Sequence, residues 1–296
     1  MAVFKKKTTL VHHITYMGIM TTINLIFILL ATYFPVLMFI PVIFLPFASA
    51  LVSYECKKRY YIIYAVASIG LCLLVSFNIT DTIFYVVPAV ITGFFIGVLL
   101  EKKINPFWMI LVSALIEASL TFAFIPLINL ITNTDIVNTF ISAFKLSEFP
   151  YKTDLTYLFV FFLALVQCAL SHFVLLSEIK RMGIEINIGV ECFSPYVIGL
   201  EIAVLLSIVF SFFYTPLAFV LLAISFYFSA FLLIDIVTSK KVIVYVIAVV
   251  LFIAAFFGFA ILYRFVSAPH GLLIMLLFPI SMAITSFVNI CLKRKA

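Results

Sequence analysis

Charged side chains are scarce in this sequence: Asp, Glu, Lys and Arg make up 10% of its 296 residues, against 66% hydrophobic ones. A water-soluble domain runs near about 25% charged and roughly 45–50% apolar. Water does not solvate such a surplus of apolar surface, whereas a bilayer does. Catalytic signatures are missing too. There is no G-x-x-x-x-G-K-[ST] phosphate loop, no H-E-x-x-H, no G-x-S-x-G and no pair of carboxylates close in sequence. The chain is therefore not expected to be an enzyme. The five cysteines (Cys56, Cys72, Cys168, Cys192, Cys291) show no C-x-x-C and no metal-ligand spacing. They read as small hydrophobes, and neither a metal nor another cofactor is expected.

What the sequence does have is long apolar runs. A helix needs about 20 apolar residues to cross roughly 30 Å of hydrocarbon. That rule predicts spans near 11–33, 36–55, 60–77, 82–100 and 105–131, then 154–177, 195–213, 216–237, 242–263 and 271–291. The expected fold is an all-α polytopic transmembrane helical bundle of about ten spans, within a range of 8–10. The second span carries Pro35, Pro41 and Pro46, so it reads either as a broken helix or as a re-entrant segment shielded by protein. Lys5–Lys7 before an apolar run has the look of a signal peptide. The run is too long, however, and no small-x-small cleavage site follows, so it reads as a retained first helix.

The net charge of +6 does not point to nucleic acid, because the basic residues fall in short clusters between apolar runs. With the N-terminus inside, the inner clusters are Lys5–Lys7, Lys57–Arg59, Lys102–Lys103, Lys180–Arg181, Lys240–Lys241 and Lys293–Lys295. Together they hold 15 of the 18 basic residues and leave only Lys145, Lys152 and Arg264 outside. The positive-inside rule then predicts both termini in the cytoplasm of a cell-membrane protein. No soluble domain is expected at either end, so no ATPase or DNA-binding module of its own is expected.

Ile136, Val137, Phe140, Ile141 and Phe144 recur at helical spacing after Asp135, a candidate cap. The segment 134–150 is too short and polar to span. It reads as an amphipathic helix on the outer surface, either a connector or a lid.

Ionisable groups inside spans are costly, so they are the first functional candidates. Glu117 lies eleven residues beyond Pro106, about 16 Å into its helix at 1.5 Å per residue. Ser113 and Thr121 lie four residues to either side and share its face. Gln167 and Ser171 make a second deep polar stripe, and Asn24 is a third deep polar group. Each stripe reads either as a solute pocket or as interhelical hydrogen bonding. Gly93-Phe-Phe-Ile-Gly97 with Ala89 makes a small-residue face suited to helix packing or to a partner, and Gly18 with Thr22 makes a weaker one.

The pattern of six spans in the first 180 residues resembles the substrate-binding S component of energy-coupling-factor (ECF) vitamin transporters. So do the proline-rich hairpin from Tyr33 to Pro46 and the Ala89-to-Gly97 run closing on Glu101-Lys-Lys. The whole chain most resembles the YybS-like membrane proteins of Gram-positive bacteria, distantly similar to those S components. The resemblance implies a six-helix S-component-like core over 1–180 and a four-helix extension over 181–296. It also implies a small-molecule binder driven by a separate membrane scaffold and ATPases. On this reading Glu117, Ser113, Thr121, Gln167 and Asn24 would contact the solute. Gly93, Gly97, Gly18 and Thr22 would serve packing or partners. The alternatives are a non-transporting scaffold for envelope or membrane-protein assembly, or a proton-coupled carrier using Glu117 and Glu201.

Overall fold

The computed structural model describes residues 9–34, 39–76, 79–143, 145, 152–181, 194–238, 241–262, 265 and 273–294. No strand occurs among them. The helices are α1 (Leu10–Tyr33), α2 (Phe39–Glu55), α3 (Lys58–Ser76), α4 (Ile79–Glu101) and α5 (Pro106–Thr132). A short α6 (Ile136–Ala143) precedes α7 (Lys152–Arg181), α8 (Ser194–Phe210), α9 (Thr215–Thr238), α10 (Val242–Leu262) and α11 (Leu277–Arg294). Nine helices among the described residues are long and apolar enough to cross a membrane. The exceptions are α2 and α6, the latter with 8 residues. The expected bundle is therefore present, and its helix ends fall within about three residues of the hydropathy boundaries, apart from the end of α7 and the start of α11.

Local chemistry fixes several of these ends. The Asn105 side chain accepts from Phe107 N (2.9 Å), and Pro106, which has no N–H, opens α5 at a position where that donor would find no intrahelical acceptor. Asn133, at φ 51°, closes α5 in the left-handed conformation that asparagine tolerates. Asp135 accepts from Asn138 N (3.1 Å) and caps α6 as its sequence position suggests. The expected helix over 134–150 is thus present as Ile136–Ala143, and residues 146–150 lie outside the described residues.

The proline-rich second span is a helix of 17 residues with Pro46 inside it, about 25 Å long and so short of the hydrocarbon thickness. It survives because protein surrounds it. Leu45, Ala48, Ser49, Ala50, Leu51, Val52 and Ser53 are all buried. Its principal partner is α4. There a Cβ built on Gly93 would collide with Ser49 Cβ and the Pro46 carbonyl, and one on Gly97 would meet the Ala50 carbonyl at 2.7 Å. The Gly93/Gly97 face is an intramolecular packing face, as small-xxx-small spacing predicts. Gly18 has nothing within 4 Å of the same construction, and its neighbour Thr22 is exposed.

Compactness divides the chain into one unit of 1–139 with 160–189 and another of 140–159 with 190–296, the division passing through α7. In the first unit, Lys58 Nζ meets Glu101 Oε2 at 2.9 Å. That ion pair joins the first residue of α3 to the last residue of α4 at one basic end, and the His13 and Tyr60 rings lie 5.2 Å apart beside it. In the second unit α8, α9 and α11 pack on one another and α10 packs chiefly on α11. Gly199 lies under the Phe228 ring. Ser207 Oγ donates to the Ala218 carbonyl across the α8–α9 turn at 2.8 Å, and Lys241 Nζ donates to the Leu292 carbonyl at the end of α11.

Gly97→Leu and Gly93→Leu are expected to lower the unfolding free energy by about 3 kcal/mol or more, since the obstruction is backbone and cannot rotate away. Gly18→Ala is expected to cost nothing. Thermal unfolding of the three variants in mild detergent checks the pair against the control.

Candidate functional site

Two buried polar sites sit inside the first unit. One is centred on Asn24 of α1, which is 0% exposed. Its Nδ2 lies 2.9 Å from Tyr64 Oη, 3.2 Å from Ser68 Oγ and 3.4 Å from Ser49 Oγ, and Ser49 and Tyr64 bond each other at 3.0 Å. Three helices are thereby tied by one amide. Each of these hydroxyls and the amide would otherwise face hydrocarbon without a partner. The amide orientation follows the hydrogen-bond network and could equally be its flipped form, and the tie holds in both.

The second site is the one Glu117 occupies. Glu117 and Thr121 of α5, Val160, Leu163, Ala164 and Gln167 of α7, and Phe84 and Tyr85 of α4 line a small cavity. The α7 contributors follow i, i+3, i+4, i+7 spacing, so they form a single stripe. The α4 contributors come from a π-helical turn, Thr82–Val86. Such a turn holds an extra residue per loop of backbone and commonly sits at functional sites. Here it presents two consecutive aromatic rings, Phe84 and Tyr85, packed edge to face at 5.1 Å.

Glu117 is 3% exposed. Cys168 Sγ, itself 0% exposed, donates to Glu117 Oε2 at 3.2 Å. The Thr121 hydroxyl donates to the Glu117 backbone carbonyl at 2.9 Å, so its proton is committed and only its lone pairs face the cavity. Gln167 brings an amide with both donor and acceptor capacity to the same space. The cavity measures about 20 Å³. A buried water needs roughly 10–15 Å³ of such space, so the site has room for water and not for a solute the size of a vitamin.

The structure therefore brings together three of the five expected solute-contacting residues: Glu117, Thr121 and Gln167. Ser113 lies one turn from Glu117 on the same helix and is 0% exposed, outside the lining. Asn24 belongs to the separate knot with Ser49, Tyr64 and Ser68. Glu201 is exposed on α8. Sequence reasoning took Cys168 for an inert hydrophobe, and only its 51-residue separation from Glu117 in the chain hid the contact. Phe84 and Tyr85 gave no signal, because aromatics are common in every span. No group of three or more His, Cys, Asp or Glu among the described residues could hold a metal ion.

The fold and its buried polar sites define a multi-pass helical membrane protein. Residues 22–148, which run from within α1 to just past α6, match the family described as predicted membrane protein (DUF2232). No curated protein and no solved structure matches the chain.

Because Cys168 is the only described side chain bonded to the Glu117 carboxyl, Glu117→Gln is expected to leave stability within about 1 kcal/mol of wild type. Glu117→Lys is expected to cost about 3 kcal/mol or more by burying an unpaired charge. Thermal unfolding in detergent separates the two outcomes.

Proposed function

We propose that the chain is the solute-binding component of a bacterial transport system, capturing a small polar or amine-bearing molecule at Glu117. The observation that carries the reading is the cavity itself. A carboxyl, an amide and two aromatic rings converge near the middle of the spans, where polar groups are costly unless they serve a purpose. At the site α7 meets α5 through a side-chain contact, the Cys168 thiol on the Glu117 carboxyl, and separation of the two helices there would enlarge the cavity. Glu117 then pairs with a cationic group of the solute, or accepts a hydrogen bond from a neutral one, while Gln167 and the Tyr85 ring orient the rest.

Similarity to the S components supports an energy source outside the chain, a separate membrane scaffold with ATPases. The distribution of basic clusters supports N-in/C-in insertion in the cell membrane, with the solute entering from outside. A non-transporting scaffold for other membrane proteins is the second reading. The exposed Gly18–Thr22 face on α1 favours it, since no other described part of the chain covers that strip.

Purification in mild detergent followed by mass spectrometry of both proteins and small molecules tests the two. The transport reading expects a retained solute and co-purified transporter ATPases. It also expects at least about tenfold weaker retention in Glu117→Gln and Gln167→Leu, matching the loss of one charge-assisted or amide hydrogen bond. Retention unchanged in both variants sinks the site assignment. Stable membrane-protein partners without any solute transfer the weight to the scaffold reading.

A further inference from the structure

Ser113 Oγ, His172 Nδ1 and His172 Nε2 are buried in the first unit without a hydrogen-bond partner among the described residues. Ser113 is 0% exposed and His172 1%. Their relation to Glu117 follows from helix register. The helices α5 and α7 run antiparallel, with Thr121 and Ala164 sharing the cavity and Glu117 meeting Cys168 one turn on. A further step of four residues on each helix reaches Ser113 and His172. Steps of four keep the same face, so register sets Ser113 and His172 on the facing sides of α5 and α7, about 6 Å nearer the basic end. Buried donors and acceptors left unmade are costly, and these three are not explained by packing.

We infer that Ser113 and His172 form a proton relay that connects the Glu117 carboxyl with the basic end of the bundle. Glu117 gives up its carboxyl proton and becomes a carboxylate. The Ser113 hydroxyl, directly or through one bridging water, takes that proton while passing its own to an imidazole nitrogen. His172 becomes imidazolium, Ser113 is regenerated, and the summed charge of the pair is unchanged. Along α5 and α7 the titratable groups nearest His172 in register are Glu117 and Cys168, one turn outward, and Glu178 toward the basic end. Glu178 shares an electrostatic neighbourhood with Tyr16 of α1 and Glu55 of α2. Proton loading of Glu117 thereby becomes controllable from the side opposite solute entry, which gives the proposed solute site a means of release. The relay rests on Glu117 being the ionisable group of that site, and on nothing about which solute binds.

The test uses the full chain in lipid vesicles, with infrared spectroscopy following the protonated-carboxyl band that disappears in Glu117→Gln. After transfer to heavy water, the band's exchange is expected to be about tenfold or more slower in Ser113→Ala and in His172→Gln, in line with the usual contribution of a positioned proton carrier. Ser113→Ala removes one oxygen and adds no bulk, so it carries the test even if His172→Gln does not fold. Exchange within about twofold of wild type in Ser113→Ala overturns the relay. So does the absence of any Glu117-dependent carboxyl band, since no proton would then be there to hand on. The readout involves no solute. Failure of the relay therefore leaves the solute site standing, and a solute indifferent to Glu117 leaves the relay standing.

Discussion

The close approach of α2 and α4 at Gly93 and Gly97 is the contact on which the first unit depends. In lipid, helices gain little from burying apolar side chains against one another, so association relies on close packing and on interhelical hydrogen bonds. Two glycines one turn apart let the α4 backbone rest on Ser49, Ala50 and Ser53 of α2. That seating keeps a short, proline-containing helix wrapped in protein, where a missing backbone donor is tolerable. Ser49 is thereby presented to Asn24 and Tyr64, so the same contact that shields α2 also holds α1 and α3 in register. On its other flank α4 carries the π-helical turn that walls the Glu117 cavity.

The two polar sites differ in a way that separates structure from function. Around Asn24 the donors and acceptors are neutral and converge from three helices. Around Glu117 there is an ionisable carboxyl with a thiol as its donor, and space beside it. A thiol is a weak donor, which makes Cys168 a poor reason to bury a carboxylic acid if packing were the only aim. The further orphans at Ser113 and His172 extend the same side of α5 and α7. Buried polar atoms without partners are rare in folded proteins, and their alignment with the Glu117 carboxyl sets this side apart.

Much of the architecture was legible in the sequence because a bilayer imposes a length and a composition on every span. The small-residue spacing of Gly93 and Gly97 announced a packing face, and the cost of a deep charge announced Glu117. The proline-rich second span was ambiguous because its fate depends on shielding by α4, a property of the assembled unit. Cys168, Tyr64 and the Phe84–Tyr85 pair were not legible, for a related reason. Their roles arise from partners tens of residues away, and each is of a type that hydrophobic helices use freely. Asn24 was visible as a polar group, but its three hydroxyl partners decide that it ties helices together.

In the second unit, α10 stands apart from every other span. It is the most apolar and least buried of the nine described spans, and it leans chiefly on α11. Its 21 residues measure about 31 Å, close to the thickness of the hydrocarbon layer. With so little protein to hold it, its tilt is set by the lipid around it. A thinner or thicker membrane changes that tilt, and α11, with its C-terminal carbonyl held by Lys241 at the foot of α10, is the helix to which the change is passed.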